Sequence, residues 1–346
     1  MRSALDLLIP IATAASISGG LCYGLARWST RLRLVAQPRP DRWHKTPTPN
    51  TAGLGVLIAC ACSYLLFSEN GFGAIASGAA FISVVGFIDD RLQLRPIVKL
   101  AGQLAAALLL IASGAVLYLT PWTWMNVIIT VFWLVAITNA FNLIDNMDGL
   151  CGGVATVIAL SGAGLAIIQG DPGRALMLGI VGGACLGFLV FNHNPARIFL
   201  GDCGSLFVGF SLASLAVSRP DAVTGHSVID SIYAIPAFLY PIFDMTLVSV
   251  LRRRAGKPIS VGGRDHSSHR LVSMGLTERR AVWVLWLCAA LCASCALLTY
   301  GNSLWFFATT GVLLLGLTVF GFSLASLPSF SASVSGPMQH GRSTAP

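Results

Sequence analysis

The chain has 346 residues, 55% of them hydrophobic and only 10% charged, with mean hydropathy +0.75 and formal net charge +8. Soluble domains carry about 25% charged residues, so the composition excludes a soluble globular protein and points to an all-α, polytopic membrane protein. The nine cysteines fall mostly inside apolar runs, without disulfide or metal spacing, and read as small packing residues.

A membrane span needs roughly 20 apolar residues. About eleven runs meet or approach that length: Leu5–Ala26, Thr51–Phe67, Phe72–Ile88, Ile97–Leu119, Trp122–Thr138, Leu150–Gln169, Ala175–Phe191, Ser205–Val217, Ile229–Leu251, Ala281–Tyr300 and Leu304–Leu327. The expectation is therefore about 10–11 transmembrane helices, with Ser205–Val217 short enough to be re-entrant or tilted. Leu5–Ala26 reads as a signal anchor retained as the first span, since no A-x-A cleavage site follows it.

Lysine and arginine give the orientation. Of the 22, 19 lie in odd-numbered connections or the tail, chiefly Arg27–Lys45, Arg91–Lys99 and Arg252–Arg280, against Arg2, Arg174 and Arg219 opposite. By the positive-inside rule the amino terminus is outside and the carboxyl terminus inside. The sequence reads as one transmembrane domain, 1–327, followed by a Ser/Pro/Gly-rich tail, 328–346, expected to be disordered.

One stretch stands out between two uncharged apolar runs: Asn139-Ala-Phe-Asn142-Leu-Ile-Asp145-Asn146-Met-Asp148-Gly149. Amides and carboxylates are costly beside hydrocarbon, so such a cluster marks either a functional site or a solvated loop between spans. The spacing sets oxygen ligands about one turn apart on a helix expected to break at Gly149, with Asn142 near a helix C-terminus, where the dipole favours a cation. Oxygen-only ligands suit a hard cation such as magnesium.

The other polar clusters fall on the same face. Asp89-Asp90 precedes Arg91 and is either a helix end with a local ion pair or a pair sharing a metal and splitting base duty. Gly201-Asp202-Cys-Gly204-Ser205 resembles a tight turn into a span, with Ser205 as N-cap. Phe199 is an interface anchor or a ring for a base to stack on. His266 and His269, flanked by Arg264 and Arg270, suit phosphate better than zinc, because no third soft ligand is near. Asp244, about two turns inside its span, needs a partner and is expected to support the site indirectly. Lys45 heads the second span, within reach of a phosphate.

Together these stretches resemble the polyprenyl-phosphate N-acetylhexosamine-1-phosphate transferases. The residues carrying the resemblance are Lys45-Thr-Pro-Thr-Pro, Gly86-Phe-Ile-Asp89-Asp90, Asn139 to Gly149, Phe199-Leu-Gly201-Asp202-Cys-Gly204-Ser205 and Asp265-His266-Ser-Ser-His269-Arg270. The resemblance implies that Asn142 and Asp202 are Mg2+ ligands, with Mn2+ as a substitute. It implies that Asp89 and Asp90 are catalytic toward the polyprenyl phosphate, Asp89 as base or covalent nucleophile. Lys45, Asn139, Asp145, Asp148, Phe199, His266, His269 and Arg270 are implied to bind substrate. Two positions depart from the family pattern: Ser268 stands where the middle His of an H-x-H-H loop is usual, and Asn146 where Gly is usual. The His-poor loop argues against a muramoyl-pentapeptide donor.

The implied reaction transfers HexNAc-1-phosphate, GlcNAc-1-phosphate first, from a UDP-HexNAc to undecaprenyl phosphate with release of UMP. It would be the first membrane step of a cell-surface polysaccharide pathway in a bacterial inner membrane. The partners would be the two substrates, membrane lipids and, in a homodimer, a second copy; no nucleic acid is expected. The rival readings are a transporter or lipid-linked sugar flippase, which would place charges near the bilayer midplane, and an inactive scaffold.

Overall fold

A computed structural model describes residues 4–28, 35–36, 48–68, 73–217, 232–258 and 263–326. Lys45, most of the connection before it and the tail from 328 lie outside the described residues. The helices are α1 (Leu8–Trp28), α2 (Ala52–Phe67), α3 (Gly73–Leu92), α4 (Pro96–Ala112), α5 (Thr123–Ile144), α6 (Leu150–Ile168), α7 (Pro172–Asn192), α8 (Gly201–Leu215), α9 (Leu239–Arg254), α10 (Ser267–Ser273), α11 (Glu278–Thr299) and α12 (Ser303–Ala325). A two-residue antiparallel pair joins β1 (Val35–Ala36) to β2 (Thr48–Pro49), Val35 opposite Pro49.

Among the described residues eight helices are long and apolar enough to cross a membrane, α9 counting with the turn before it, and α2, α4 and α8 are shorter apolar helices. These eleven correspond one to one with the eleven apolar runs, and the chain is an all-α polytopic membrane protein. Helices α6, α7 and α8 form the centre, with α1 packed on α7 and both α3 and α5 on α8. Helix α12 lies at the edge and exposes Leu304, Trp305, Phe307 and Val312, as a lipid-facing helix should.

Three boundaries differ from the sequence expectation. The run Ile97–Leu119 does not stay helical: α4 ends at Ala112, and the chain turns at Gly114 with φ +89°. Residues 115–119 are non-helical, with 115–117 buried. Two of their backbone donors are taken by α5 side chains, Leu117 by Thr130 Oγ1 at 2.9 Å and Leu119 by Asn126 Oδ1 at 3.1 Å. Non-helical backbone at membrane depth is tolerated only when partnered in this way.

The second difference is at the polar motif. Helix α5 runs through Asn139 and Asn142 and ends at Asp145, earlier than the expected break; Gly149, at φ +79°, instead opens α6. Third, Ser205 is not an N-cap. Helix α8 begins four residues earlier at Gly201, so Ser205 lies one turn inside it, fully buried.

Glycine lets these helices meet at the site. A Cβ on Gly86 would sit 2.4 Å from the Asp202 carbonyl oxygen, so α3 and the start of α8 touch backbone to backbone. Gly201 has φ +72°, and a Cβ there would fall 2.8 Å from Asp90 Oδ2.

Candidate active site

Asp89, Lys99, Asn142 and Asp202 come from α3, α4, α5 and α8 and converge at one end of the bundle. Lys99 Nζ is the hub. It lies 2.9 Å from Asp89 Oδ2 and donates to Asn142 Oδ1 at 3.2 Å and to an Asp202 carboxylate oxygen. The Asn142 amide also donates to Asp202 Oδ1 at 3.1 Å and to the Ser205 hydroxyl at 2.9 Å. Three oxygens from three helices thus surround one cationic nitrogen, and Asp202 keeps 28% of its side chain open to solvent. The expected juxtaposition of Asn142 with Asp202 holds; Lys99 between them was not foreseen.

The two adjacent aspartates are used differently. Asp90 accepts from the backbone N–H of Asp202 and of Cys203, each at 3.0 Å, and from the Asn50 amide at 3.4 Å. Its carboxylate therefore caps the N-terminus of α8, where the helix dipole favours an anion. Asp89 has one oxygen on the Leu94 N–H at 2.7 Å and the other on Lys99. Of the pair, Asp89 faces the cluster and Asp90 positions it.

One turn deeper, Asn139 and Gln103 exchange two hydrogen bonds, 3.0 and 2.8 Å long, between α5 and α4. Lys99 with Asn142 and Gln103 with Asn139 are successive rungs of one ladder. Asn139, expected at the substrate, is committed to this inner rung and to Val135 O. Asp148 is also drawn away from the cluster, accepting from the Ala196 N–H at 2.9 Å and the Asn194 amide at 3.3 Å. It ties the α5–α6 turn to the 193–199 loop, which Arg279 holds in turn through Asn194 O. Asp145 is half-buried at the end of α5. Phe199 is half-buried and pinned by its backbone, its N–H on Pro49 O at 2.7 Å and its carbonyl under the Ala52 N–H at 3.1 Å.

The 265–270 segment is anchored from below. Asp244, fully buried in α9, meets His266 Nδ1 at 2.7 Å, the Ser267 N–H at 2.8 Å and the Ser267 hydroxyl at 2.5 Å. The partner that this buried acid required is thus His266, and the bond to Nδ1 leaves Nε2 as the ring's second functional nitrogen. His269 is buried as well, and burial, followed by the charges of His266 and neighbouring arginines, pushes its pKa down to about 3. Arg270 reaches across to α12 and donates Nη1 to Leu324 O at 2.7 Å. That bond staples α10 to α12, a structural use the sequence did not suggest.

Sequence reasoning missed Lys99 and Gln103 and gave no role to Asn50. A signal existed for Lys99: a lysine one turn inside an apolar helix breaks the same rule that singled out the Asn139–Asp148 cluster. It was counted only as a topological charge.

Comparison with known proteins places the chain in a family. Residues 72–219, which hold every member of the Lys99 cluster, match the description Glycosyl transferase family 4. The chain is 34% identical over 295 residues to a probable undecaprenyl-phosphate N-acetylglucosaminyl 1-phosphate transferase of Bacillus subtilis, covering 81% of each chain. It is 30% identical over 321 residues to decaprenyl-phosphate N-acetylglucosaminephosphotransferase of Mycobacterium tuberculosis, covering 82% of this chain and 80% of the relative. A phospho-N-acetylmuramoyl-pentapeptide-transferase of Desulfitobacterium hafniense is 32% identical over 339 residues, covering 87% and 97%. With matches of this extent and a polar cluster built at one end of an apolar helical bundle, the chain belongs to glycosyl transferase family 4, the superfamily of polyprenyl-phosphate N-acetylhexosamine-1-phosphate transferases.

Proposed function

We propose that this protein transfers GlcNAc-1-phosphate from UDP-GlcNAc to undecaprenyl phosphate at the cytoplasmic face of a bacterial inner membrane, releasing UMP. The observation that carries this reading is the meeting of Asp89, Asn142 and Asp202 around a single cation, Lys99 Nζ. The similarity to polyprenyl-phosphate GlcNAc-phosphate transferases supports the same reaction class.

The donor set is oxygen-only, two carboxylates and an amide, and it already accommodates a positive charge. That chemistry fits Mg2+, which takes a few protein oxygens and completes its shell with water and substrate phosphate. Asn142 and Asp202, whose side chains meet at 3.1 Å, would hold the ion, with phosphate oxygens of the substrates and water completing its shell. When bound, Mg2+ supplies charge neutralisation for the diphosphate and the departing phosphate.

The chain's own residues do the rest. Asp89 faces the cluster and is the group suited to keep the lipid phosphate dianionic, while Asp90 fixes the end of α8 and so the reach of Asp202. Lys99 offsets the mutual repulsion of Asp89 and Asp202 and presents a cation to incoming phosphate. A lipid-phosphate oxygen then bonds to the sugar-bearing phosphorus, the bond from that phosphorus to UMP breaks, and UMP carries off the electron pair. One phosphoanhydride replaces another, so positioning and charge suffice.

The test is UMP release by purified full-length protein given undecaprenyl phosphate, Mg2+ and a panel of UDP-sugars. UMP with UDP-GlcNAc and none without lipid phosphate is expected; no UMP from any donor would overturn the reading.

A further inference from the structure

Asn142 offers an oxygen to the cluster only while its amide is turned one way round. Its Oδ1 accepts from Lys99 Nζ at 3.2 Å, and its Nδ2 donates to Asp202 Oδ1 at 3.1 Å and to the Ser205 hydroxyl at 2.9 Å. A half-turn about the last side-chain bond would exchange the two ends and set an N–H against the Lys99 ammonium. Both acceptors that hold Nδ2 come from α8, one turn apart.

Helix packing keeps Ser205 at this distance. One turn further along α8, a Cβ on Gly209 would lie 2.8 Å from Phe141 Cβ and 3.0 Å from Thr138 Cα, so α8 rests there on the backbone of α5. Another turn on, Trp133 Nε1 donates to Ala213 O at 3.0 Å. The two helices thus run antiparallel, with Asn142 at Ser205, Thr138 and Phe141 at Gly209, and Trp133 at Ala213. A hydrogen bond between two packed helices is held more precisely than one made from a loop.

The two acceptors are not equivalent. Asp202 is charged, partly open to solvent and also bonded to Lys99, so any cation at the cluster competes with Nδ2 for its oxygens. The Ser205 hydroxyl is neutral and fully buried. We propose that Ser205 is a positioning residue for the cation site: by accepting from Asn142 Nδ2, it keeps Asn142 Oδ1 turned toward the ion while the Asp202 carboxylate is engaged there. This rests on the Mg2+ site proposed above and adds to it a residue that acts through Asn142.

The experiment titrates Mg2+ against the melting temperature of the full-length protein in detergent, starting from chelator. Wild type should gain stability as Mg2+ is added. Ser205→Ala should need about tenfold more Mg2+ for the same gain, the size of loss seen when a partner that orients a metal ligand is removed. In chelator it should melt close to wild type, because Asp202 still holds Nδ2 there. The Mg2+ needed for half-maximal UMP release should rise in parallel, with kcat at saturating Mg2+ little changed. Ser205→Cys keeps the bulk and replaces the hydroxyl with a poor acceptor; it should show the same loss, and it keeps the test open if Ser205→Ala does not fold. In an Asn142→Asp background both ends of the ionised side chain are oxygens and need no orienting. There Ser205→Ala should shift the Mg2+ response by about twofold or less. A wild-type Mg2+ response in Ser205→Ala or Ser205→Cys, or an equally large loss in the Asn142→Asp background, would overturn the proposal alone. Wild type that gains nothing from Mg2+ would overturn the ion site, and this proposal with it. The melts need no substrate, so they decide the matter whether or not any donor yields UMP.

Discussion

Asp90 is bonded to the backbone of Asp202, and its side chain does not reach into the cluster that the Asp202 side chain helps to form. The Asp202 N–H and the next one along the chain each lie 3.0 Å from an Asp90 carboxylate oxygen. One acid thus aims another. Asp90→Ala would strip α8 of its cap and leave its first donors unpaired, at a cost of about 3–6 kcal/mol for two charge-assisted bonds. The melting temperature in detergent should fall, and UMP release should drop at least ~100-fold through misplacement of Asp202. Asp90→Asn, which retains one acceptor, should fall between the two.

Asn142→Ala and Asp202→Asn each remove an oxygen from the same point while leaving Asp90 and α8 in place. Both should abolish magnesium-dependent UMP release and leave the protein monodisperse on size exclusion. Near-normal turnover in either would show that the ion is held elsewhere.

Lys99→Met leaves Asp89 and Asp202 with no positive charge between them. Like charges in a poorly solvated site repel, so the variant should melt lower than wild type in chelator. It should also gain more stability from added Mg2+ than wild type does. Thermal melts with and without the metal read this without any enzyme assay. Equal melting shifts in the two proteins would refute the role given to Lys99.

The Gln103–Asn139 rung makes a different prediction. Removing one partner strands the other in an apolar surround, costing about 1–3 kcal/mol, whereas replacing both with apolar residues costs less. Gln103→Leu or Asn139→Leu alone should therefore destabilise more than the two together. A double mutant less stable than either single would mean that the rung is not an isolated pair.

His269 is buried and held neutral, its pKa near 3 against about 6.5 for free histidine. A group of this kind binds a proton in the unfolded chain before the folded one. Its contribution to stability is complete above pH 6.5 and is lost as the pH falls toward 3. His269→Gln should therefore lose less melting temperature than wild type between pH 7.5 and pH 5.5. Identical acid sensitivity would place the ring in a more solvated setting.

Much of this was legible because hydrophobic runs and one-sided clusters are local properties. The eleven runs became eleven apolar helices, and the expectation that acids and amides gather at one face followed from which connections held them; the pairing of Asn142 with Asp202 was what the family resemblance implied. Pairwise commitments were not legible. Nothing adjacent in sequence says that Asp148 will be spent on the 193–199 loop, or that Arg270 will reach Leu324 O. A motif names residues that meet; it does not say which of them meet substrate and which hold the others still. The end of α4 at Ala112 was missed for a related reason. Its continuation is as apolar as a helix, and only Asn126 and Thr130 on α5 make a non-helical path affordable.

The seam between Gly86 and the Asp202 carbonyl has no slack. A single hydrogen exchanged for a methyl group there, the smallest change that protein chemistry allows, would wedge two helices apart at the one level where their acids must face a common point. Gly86→Ala is therefore expected to silence the site from a position that carries no side chain and no charge.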